Sequence, residues 1–215
     1  MRTFEDSYRH KGLRKKLIDS IREKGITDER VLIAMQNVPR HFFLDTALDH
    51  IAYEDRAFPI AEGQTISQPY TVAYQTQLLN IKTHEKILEI GTGSGYQATI
   101  LAEMGVNVYT IERQKKLFVQ NKGAFGKKYS NIKFFYGDGF EGLPTYAPFD
   151  KIIITAAAPF IPPKLIQQLK NGGCIVLPLD EGVLQRMLRL TKTEHGIEEE
   201  SFQNFSFVPM LSGKQ

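Results

Sequence analysis

Residues 86–97 read Lys86-Ile87-Leu88-Glu89-Ile90-Gly91-Thr92-Gly93-Ser94-Gly95-Tyr96-Gln97, and the order of residue types in this stretch decides the fold. Ile87, Leu88 and Ile90 form the short apolar run that a buried strand needs, and the glycines end it abruptly. Beyond them Ala98, Ile100, Leu101, Ala102 and Met104 return at helical spacing. Strand, glycine turn and helix in that order make the ligand-binding turn of a Rossmann-type sheet. Gly91, Gly93 and Gly95 leave bare backbone for a ligand, and the first N–H groups of the helix point at it. A dinucleotide fingerprint would place its third glycine at position 96, where Tyr96 stands. The spacing is therefore Gly-x-Gly-x-Gly, which suits a nucleoside-type ligand without a pyrophosphate. Glycine turns also follow strands where no ligand binds, so this motif alone leaves function open.

The next strand ends narrow the choice. Residues 106–111 alternate as a strand does and stop at Glu112, 21 residues after Gly91. An acid at that distance is placed to accept hydrogen bonds from both hydroxyls of a ribose. A third strand over 131–136 ends in Gly137-Asp138-Gly139, where Asp138 can accept from an adenine amino group and Gly139 lets the ring approach. A single acid at a strand end is more often a turn or cap residue. Glu89, Glu112 and Asp138 together make a set that favours a cationic adenosyl ligand over a nucleotide phosphate. This points to S-adenosylmethionine.

The chain of 215 residues is long enough for one large α/β domain with a small appended subdomain. Its 42% hydrophobic content supports a substantial core, and the net charge of +3 is mild. The longest apolar run, residues 152–161, is interrupted by Thr155 and Pro159 and is far too short for a membrane span. Met1-Arg2-Thr3-Phe4-Glu5-Asp6 has no apolar signal region, so no membrane association is expected. Cys174 is the single cysteine; it fits a reducing cytoplasm, the expected location, and its apolar neighbours mark it as a packing residue. The five histidines show no metal-binding spacing, and no metal is expected.

Taken in order, residues 13–24 predict an amphipathic helix with Leu13, Leu17, Ile18 and Ile21 on one face, ended by Gly25. Asp28 is an N-cap for a second helix carrying Val31, Leu32, Met35 and Val38, which Pro39 breaks. The aromatic stretch to Ile60 is irregular. Pro69 then opens a helix whose face holds Tyr70, Ala73, Tyr74 and Leu78. Thr65 and Ser67 stand just before it, where they can cap the helix or, with its free N–H groups, hold an anion; capping is the favoured reading. Later, residues 151–155 make a fourth strand, and Pro162-Pro163 opens a helix. Asn171-Gly172-Gly173 turns into a fifth strand ending at Pro178, and 184–192 form a sixth. His195-Gly196 makes a turn, and Phe205-Ser206-Phe207-Val208 is the candidate seventh. Two late strands joined by a short turn predict an antiparallel edge. The expected fold is thus an α/β, Rossmann-like, doubly wound and mostly parallel seven-stranded sheet with an antiparallel C-terminal edge. Residues 1–80 would form an N-terminal helical subdomain and 81–215 the core.

Gly63-Gln64-Thr65-Ile66-Ser67-Gln68-Pro69 and the glycine stretch Leu88 through Gln97 together resemble segments of the protein-L-isoaspartate O-methyltransferase family. Thr110-Ile111-Glu112-Arg113, Gly137-Asp138-Gly139 and Pro148-Phe149-Asp150 do so too. Val38-Pro39-Arg40 and Phe207-Val208-Pro209 extend the likeness over almost the whole chain. The glycine motif is shared by many methyltransferases, whereas Thr-Ile-Ser-Gln-Pro is far more specific. Two departures stand out. Pro178-Leu179-Asp180-Glu181-Gly182 replaces the family's usual Pro-Val-Gly, and Phe160 and Met210 fall where other residues are usual.

The resemblance implies methylation of the free α-carboxylate of L-isoaspartyl residues in damaged proteins and peptides. The ester then closes unaided to a succinimide, which reopens partly to aspartate. It implies S-adenosyl-L-methionine as cofactor, S-adenosyl-L-homocysteine as product, and Ser67 as the active-site serine. Ile66, Glu89, Gly91, Gly93, Gly95, Glu112, Arg113, Asp138, Gly139 and Gln185 would bind the cofactor. Thr65, Ser67, Gln68, Val208 and Pro209 would bind substrate. A carboxylate with an ordinary pKa below ~4 is already anionic at neutral pH, so no general base is required. A nucleic-acid methyltransferase is the alternative enzyme, motivated by Arg113, Lys115, Lys116, Lys122, Lys127 and Lys128. A charge run on a helix is more simply a solvated face. A non-catalytic module that binds isoaspartyl peptide or adenosyl ligand is the third reading. The expected enzyme is a monomer acting on peptide and not on nucleic acid.

Overall fold

The computed structural model describes residues 5–215. The reading of Met1 to Phe4 as free of an apolar signal lies outside the described residues. The first helix, α1 (Tyr8–Glu23), starts five residues before the apolar periodicity does. Ser7 Oγ accepts from the His10 N–H while His10 Nδ1 accepts from the Ser7 N–H, a capping box with histidine in the usual Glu/Gln position. The exposed first turn carries no hydrophobic signal, which is why spacing alone misses it. Asp28 caps α2 (Glu29–Asn37) as expected, accepting from the Arg30 N–H at 3.0 Å.

The stretch to Ile60, expected to be irregular, and the residues after it to Ile66 contain three short 3-10 turns and a small antiparallel pair, β1 (Phe58–Pro59) with β2 (Thr65–Ile66). Pro69 does open α3 (Pro69–Leu78), but the buried set differs from the expected stripe. Val72, Ala73, Gln75, Thr76 and Leu78 are buried, and Tyr70 and Tyr74 are only half-buried. The helix is covered on two sides, by the sheet and by the N-terminal helices, so polar side chains also turn inward. They are satisfied there: Gln75 Nε2 donates to Ile154 O at 2.9 Å, and Thr76 Oγ1 to Val72 O at 2.7 Å.

The sheet is built from β3 (Lys86–Ile90), β4 (Asn107–Glu112), β5 (Ile132–Tyr136), β6 (Phe149–Ile154), β7 (Leu169–Asp180), β8 (Gln185–Thr193) and β9 (Gly196–Phe205). Helices α4 (Tyr96–Glu103), α5 (Lys115–Phe125) and α6 (Pro163–Gln167) cross between strands. The strand order is β5-β4-β3-β6-β7-β8-β9, parallel from β5 to β7 and antiparallel from β7 to β9. The chain leaves β3 toward β4 on one side and returns to β6 on the other. That reversal opens a crevice at the carboxyl end of β3, where the glycine turn lies.

Both sheet faces are covered. Ile87, Val108, Ile153 and Val176 pack with Leu79, Ala98 and Leu101, while Leu88, Ile90, Ile152, Ile175 and Leu188 pack with Leu165. Side-chain alternation along each strand divides them between the two layers. Ile18, Ile21, Leu32 and Met35 share a cluster with Phe43, Val72, Tyr96, Ile100 and Phe125, so the first helices are seated against α3, α4 and α5. No described helix is long and apolar enough to cross a membrane.

Two expectations at the C-terminal edge are corrected. The seventh strand runs over Gly196–Phe205, not 205–208, and the turn before it is Glu194-His195. An edge strand exposed along nearly its whole length has no inward face, so its sequence need not alternate. Residues 206–208 instead leave the sheet and run toward the crevice. Asn171-Gly172-Gly173 is not a turn ahead of the fifth strand but a slip within it: pairing moves from Phe149↔Leu169 to Lys151↔Cys174.

Candidate active site

The glycine turn is held by its neighbours. Gly91 and Thr92 N–H both donate to Ile111 O, at 3.0 and 3.1 Å, which ties the turn to the end of β4. Thr155 Oγ1, just past β6, donates to Gly91 O at 2.8 Å. Gly91 has φ 92°, and a Cβ there would stand 2.8 Å from that same hydroxyl, so only glycine lets the three strand ends meet.

Glu112 is pinned by backbone donors: Oε2 accepts from Gly93 N–H and Oε1 from Gln114 N–H, both at 2.8 Å. Each oxygen keeps a second lone pair, and the carboxylate lines the crevice. Such an acceptor pair suits the two hydroxyls of a ribose. Burial pushes its pKa up, against the opposing bonds from Gln114 and Gly93. Glu89 lies beneath the turn with 0% exposure, and neither oxygen reaches full bonding distance from any donor. Burial pushes its pKa up to about 8; the Thr110 hydroxyl opposes the shift and the charge of Glu112 adds to it.

Ser67 behaves differently from the sequence expectation. Neither it nor Thr65 caps α3; the cap comes from a distant loop, where Asp55 Oδ1 accepts from Tyr70 N–H at 2.8 Å. Lys24 Nζ, 2.6 Å from the other oxygen, balances that charge. Gln68 Nε2 ties the same loop in, donating to Asp55 O at 3.1 Å. The Ser67 hydroxyl is thus left without a hydrogen bond among the described residues, at the junction of the crevice and a second groove. That groove is walled by Asp55, Arg56, Gln68, Tyr70, Gln203 and Ser206.

Of the residues expected at the site, Thr65, Ile66, Ser67, Gly91, Gly93, Glu112, Arg113, Gly139, Val208 and Pro209 line one crevice. Gln68 faces the adjoining groove instead. Glu89 and Gly95 are buried and do not line the crevice. Asp138 stands off it with both oxygens engaged, by Phe140 N–H at 2.9 Å and Gly213 N–H at 2.6 Å. Gln185 is also outside the crevice; its Oε1 accepts from Phe207 N–H at 2.8 Å. It holds the segment that carries Val208 and Pro209 into place. A bridge of Ala157 with Pro209 completes that placement, with Met210 N–H donating to Ala157 O at 2.7 Å.

Sequence reasoning passed over Gln64, Thr92, Gln97, Thr155, Met210 and Leu211, which also line the crevice. Thr155 ends a strand beside the glycine turn, a position that could have flagged it. Met210 and Leu211 come in only through the folded-back tail. A Cβ on Gly139 would overlap Ile90 Cγ2 and stand 3.3 Å from Met210 Cε, so the wall there has no space for a side chain. The cradle therefore fits an adenosyl group: bare glycines, an oriented carboxylate for the ribose and an apolar wall from Ile111 and Met210.

Elsewhere, Asp6, His10 and His41 bring their ligating atoms within 4.8 Å of one another. Those atoms are already used. Arg14 takes both oxygens of Asp6, His41 meets Tyr53 Oη and Glu5 O, and His10 meets Ser7 and Asp49. None of the three lines the crevice.

The family model described as protein-L-isoaspartate(D-aspartate) O-methyltransferase matches residues 12–215. A Cytophaga hutchinsonii protein named protein-L-isoaspartate O-methyltransferase is 56% identical over 208 residues, covering 96% of this chain and 94% of its own. A Flavobacterium johnsoniae protein of the same name is 51% identical, covering 98% and 99%. Among solved structures, a Plasmodium falciparum protein-L-isoaspartate O-methyltransferase in complex with S-adenosyl-L-homocysteine superimposes with a TM-score of 0.80 at 26% identity, over 92% of this chain and 98% of that one. With a match from residue 12 to residue 215 and relatives above half identity, this chain belongs to the protein-L-isoaspartate O-methyltransferase family.

Proposed function

We infer that this chain repairs damaged protein by methylating the free α-carboxylate of L-isoaspartyl residues, with Ser67 holding the acceptor carboxylate. The observation that carries the residue assignment is the unpartnered Ser67 hydroxyl where crevice and groove meet. S-adenosyl-L-methionine is the cofactor, and it supplies a sulfonium-bound methyl whose C–S bond breaks, with the electron pair left on sulfur, as the carboxylate oxygen bonds to carbon. The protein moves no proton in that step. Its work is alignment, and positioning of two reactants can supply roughly 7–11 kcal/mol.

Each residue has a definite task in this reading. Glu112 accepts from the ribose hydroxyls, and Gly91 and Gly93 offer open backbone. Ile66, Arg113 and Gly139 bound the adenosyl and methionyl ends. Ser67 Oγ donates to one oxygen of the substrate carboxylate, leaving the other to react. Thr65, Gln68, Val208 and Pro209 guide the peptide. Residues 1–80 supply the substrate loop, with Ile66 turned to the cofactor, and 81–215 form the core that holds most of the cofactor. Asp138 acts at the adenine end through its remaining lone pairs, and Glu89 and Gln185 act from behind the wall.

The enzyme is further proposed to work as a monomer, in the cytoplasm, on peptide. The pairing of Lys116 with Glu62 at 2.8 Å supports peptide over nucleic acid, because it removes one cation from the basic face of α5. A labelled-methyl assay compares an isoaspartyl peptide with its aspartyl twin, using wild type and Ser67→Ala. Methylation of the isoaspartyl peptide alone, strongly reduced in Ser67→Ala, is the expected result. Equal rates on both peptides would overturn the repair reading, and an unaffected Ser67→Ala would remove the serine from it.

A further inference from the structure

Arg40 has 0% exposure and no carboxylate partner among the described residues. Its Nε donates to Ala52 O at 3.1 Å and its Nη2 to Arg56 O at 3.3 Å, while Nη1 reaches no acceptor at full hydrogen-bonding distance. The guanidinium lies over the ring of Tyr96, 5.0 Å from its centroid. Burial pulls its pKa down to about 10, with Tyr96 and Asp55 opposing, so it is charged at neutral pH. A buried cation with no counter-ion and an idle donor is costly, and an apolar residue would pack the same space at less cost. What the cation supplies is a link between two loops.

One loop is the cofactor turn: Tyr96 follows Gly95 directly and opens α4. The other is the stretch Ala52 to Arg56, which both Arg40 bonds grip. That stretch leads to Asp55, Arg56 and Ala57 on the groove wall. Its Asp55 caps α3 at Tyr70, and its backbone accepts from Gln68, the neighbour of Ser67. The contacts therefore run from the glycine turn through Tyr96 and Arg40 to residues 52–56, and from there to the Ser67 segment. The planar fork is essential, because a lysine ammonium is a single point of charge and cannot hold two carbonyls while stacking on a ring.

We propose that Arg40 is a positioning residue that couples seating of the cofactor on the glycine turn to the placement of Ser67 and the peptide groove. This rests on the site reading given under Proposed function. Hydrogen exchange of the full chain, with and without S-adenosyl-L-homocysteine, tests it. The ligand should slow exchange at residues 91–97 and also at 52–57, although none of 52–57 lines the cofactor crevice. Arg40→Lys should lose the second effect, keep the first, hold ligand affinity within about threefold and raise the peptide KM by about tenfold or more. Protection confined to 91–97 in wild type would overturn the coupling and leave the cofactor site intact. So would an Arg40→Lys protein that still transmits protection with an unchanged KM. No protection at 91–97 would overturn the cofactor reading and the coupling with it. If Arg40→Lys does not fold, Arg40→Gln replaces it with the same readouts, and transmitted protection with an unchanged KM in that variant overturns the coupling.

Discussion

Glu89 is the residue whose perturbation is best defined by the structure. Its carboxyl is buried under the glycine turn, and its pKa rises from an ordinary 4.5 to about 8. Above pH 4.5 the unfolded chain has lost this proton while the folded chain keeps it. Stability from this group is thus complete below the unfolded value and is lost as pH rises toward 8. The slope is about 1.4 kcal/mol per pH unit, and the sum across that window has an upper bound of about 5 kcal/mol. Glu89→Gln keeps the shape and removes the titration. Urea unfolding of the ligand-free protein, between about pH 5 and pH 8, should show wild type losing stability relative to Glu89→Gln as pH rises. Glu112, whose pKa is also raised, acts in the same direction in both proteins, so only its coupling to Glu89 remains in the difference. A wild-type-minus-variant gap that stays constant over this range would refute the reasoning, because it would mean that Glu89 titrates alike in both states.

Three other outcomes test the site. Glu112→Ala should weaken S-adenosyl-L-homocysteine binding by roughly 1.5–3 kcal/mol, the scale of hydrogen bonds to a charged group, and calorimetry reads this directly. Ser67→Ala should lower kcat by roughly 10²-fold with cofactor affinity little changed and the pH–rate profile unaltered in shape, as the orienting role proposed for the serine, which moves no proton, requires. Gly139→Ala should abolish cofactor binding and destabilise the fold by roughly 1–3 kcal/mol, since its Cβ overlaps Ile90; equilibrium binding and thermal unfolding check the two effects separately.

The cofactor half of the site is legible in the chain because its logic is local. A strand, a glycine turn and a helix are consecutive, and Glu112 follows at the end of the next strand, so the distance along the sequence carries the geometry. The same holds for the Asp28 cap and for Pro69 at the start of α3. Alternation also marks strands buried on at least one face. It fails over 196–205, where β9 is an edge strand in solvent and nothing constrains which side chains point inward.

The substrate half was decided by tertiary contacts between residues far apart in sequence. Ser67 and Thr65 have the composition of helix caps, yet Asp55 reaches the α3 N-terminus first and leaves the serine hydroxyl free for a ligand. Arg40 follows a proline in a stretch that ends a helix, with nothing local to mark it as fully buried; it becomes so only when the N-terminal helices close over α4. Asp138 and Gln185 look like ligand contacts in the chain. In the fold one oxygen of each also accepts from backbone, of Gly213 and of Phe207, and draws the C-terminal tail across the crevice. Residue type and spacing state which hydrogen bonds a group can make. Only the fold determines which partner takes each bond, and that competition separates a helix cap from a serine whose hydroxyl stays open to the crevice.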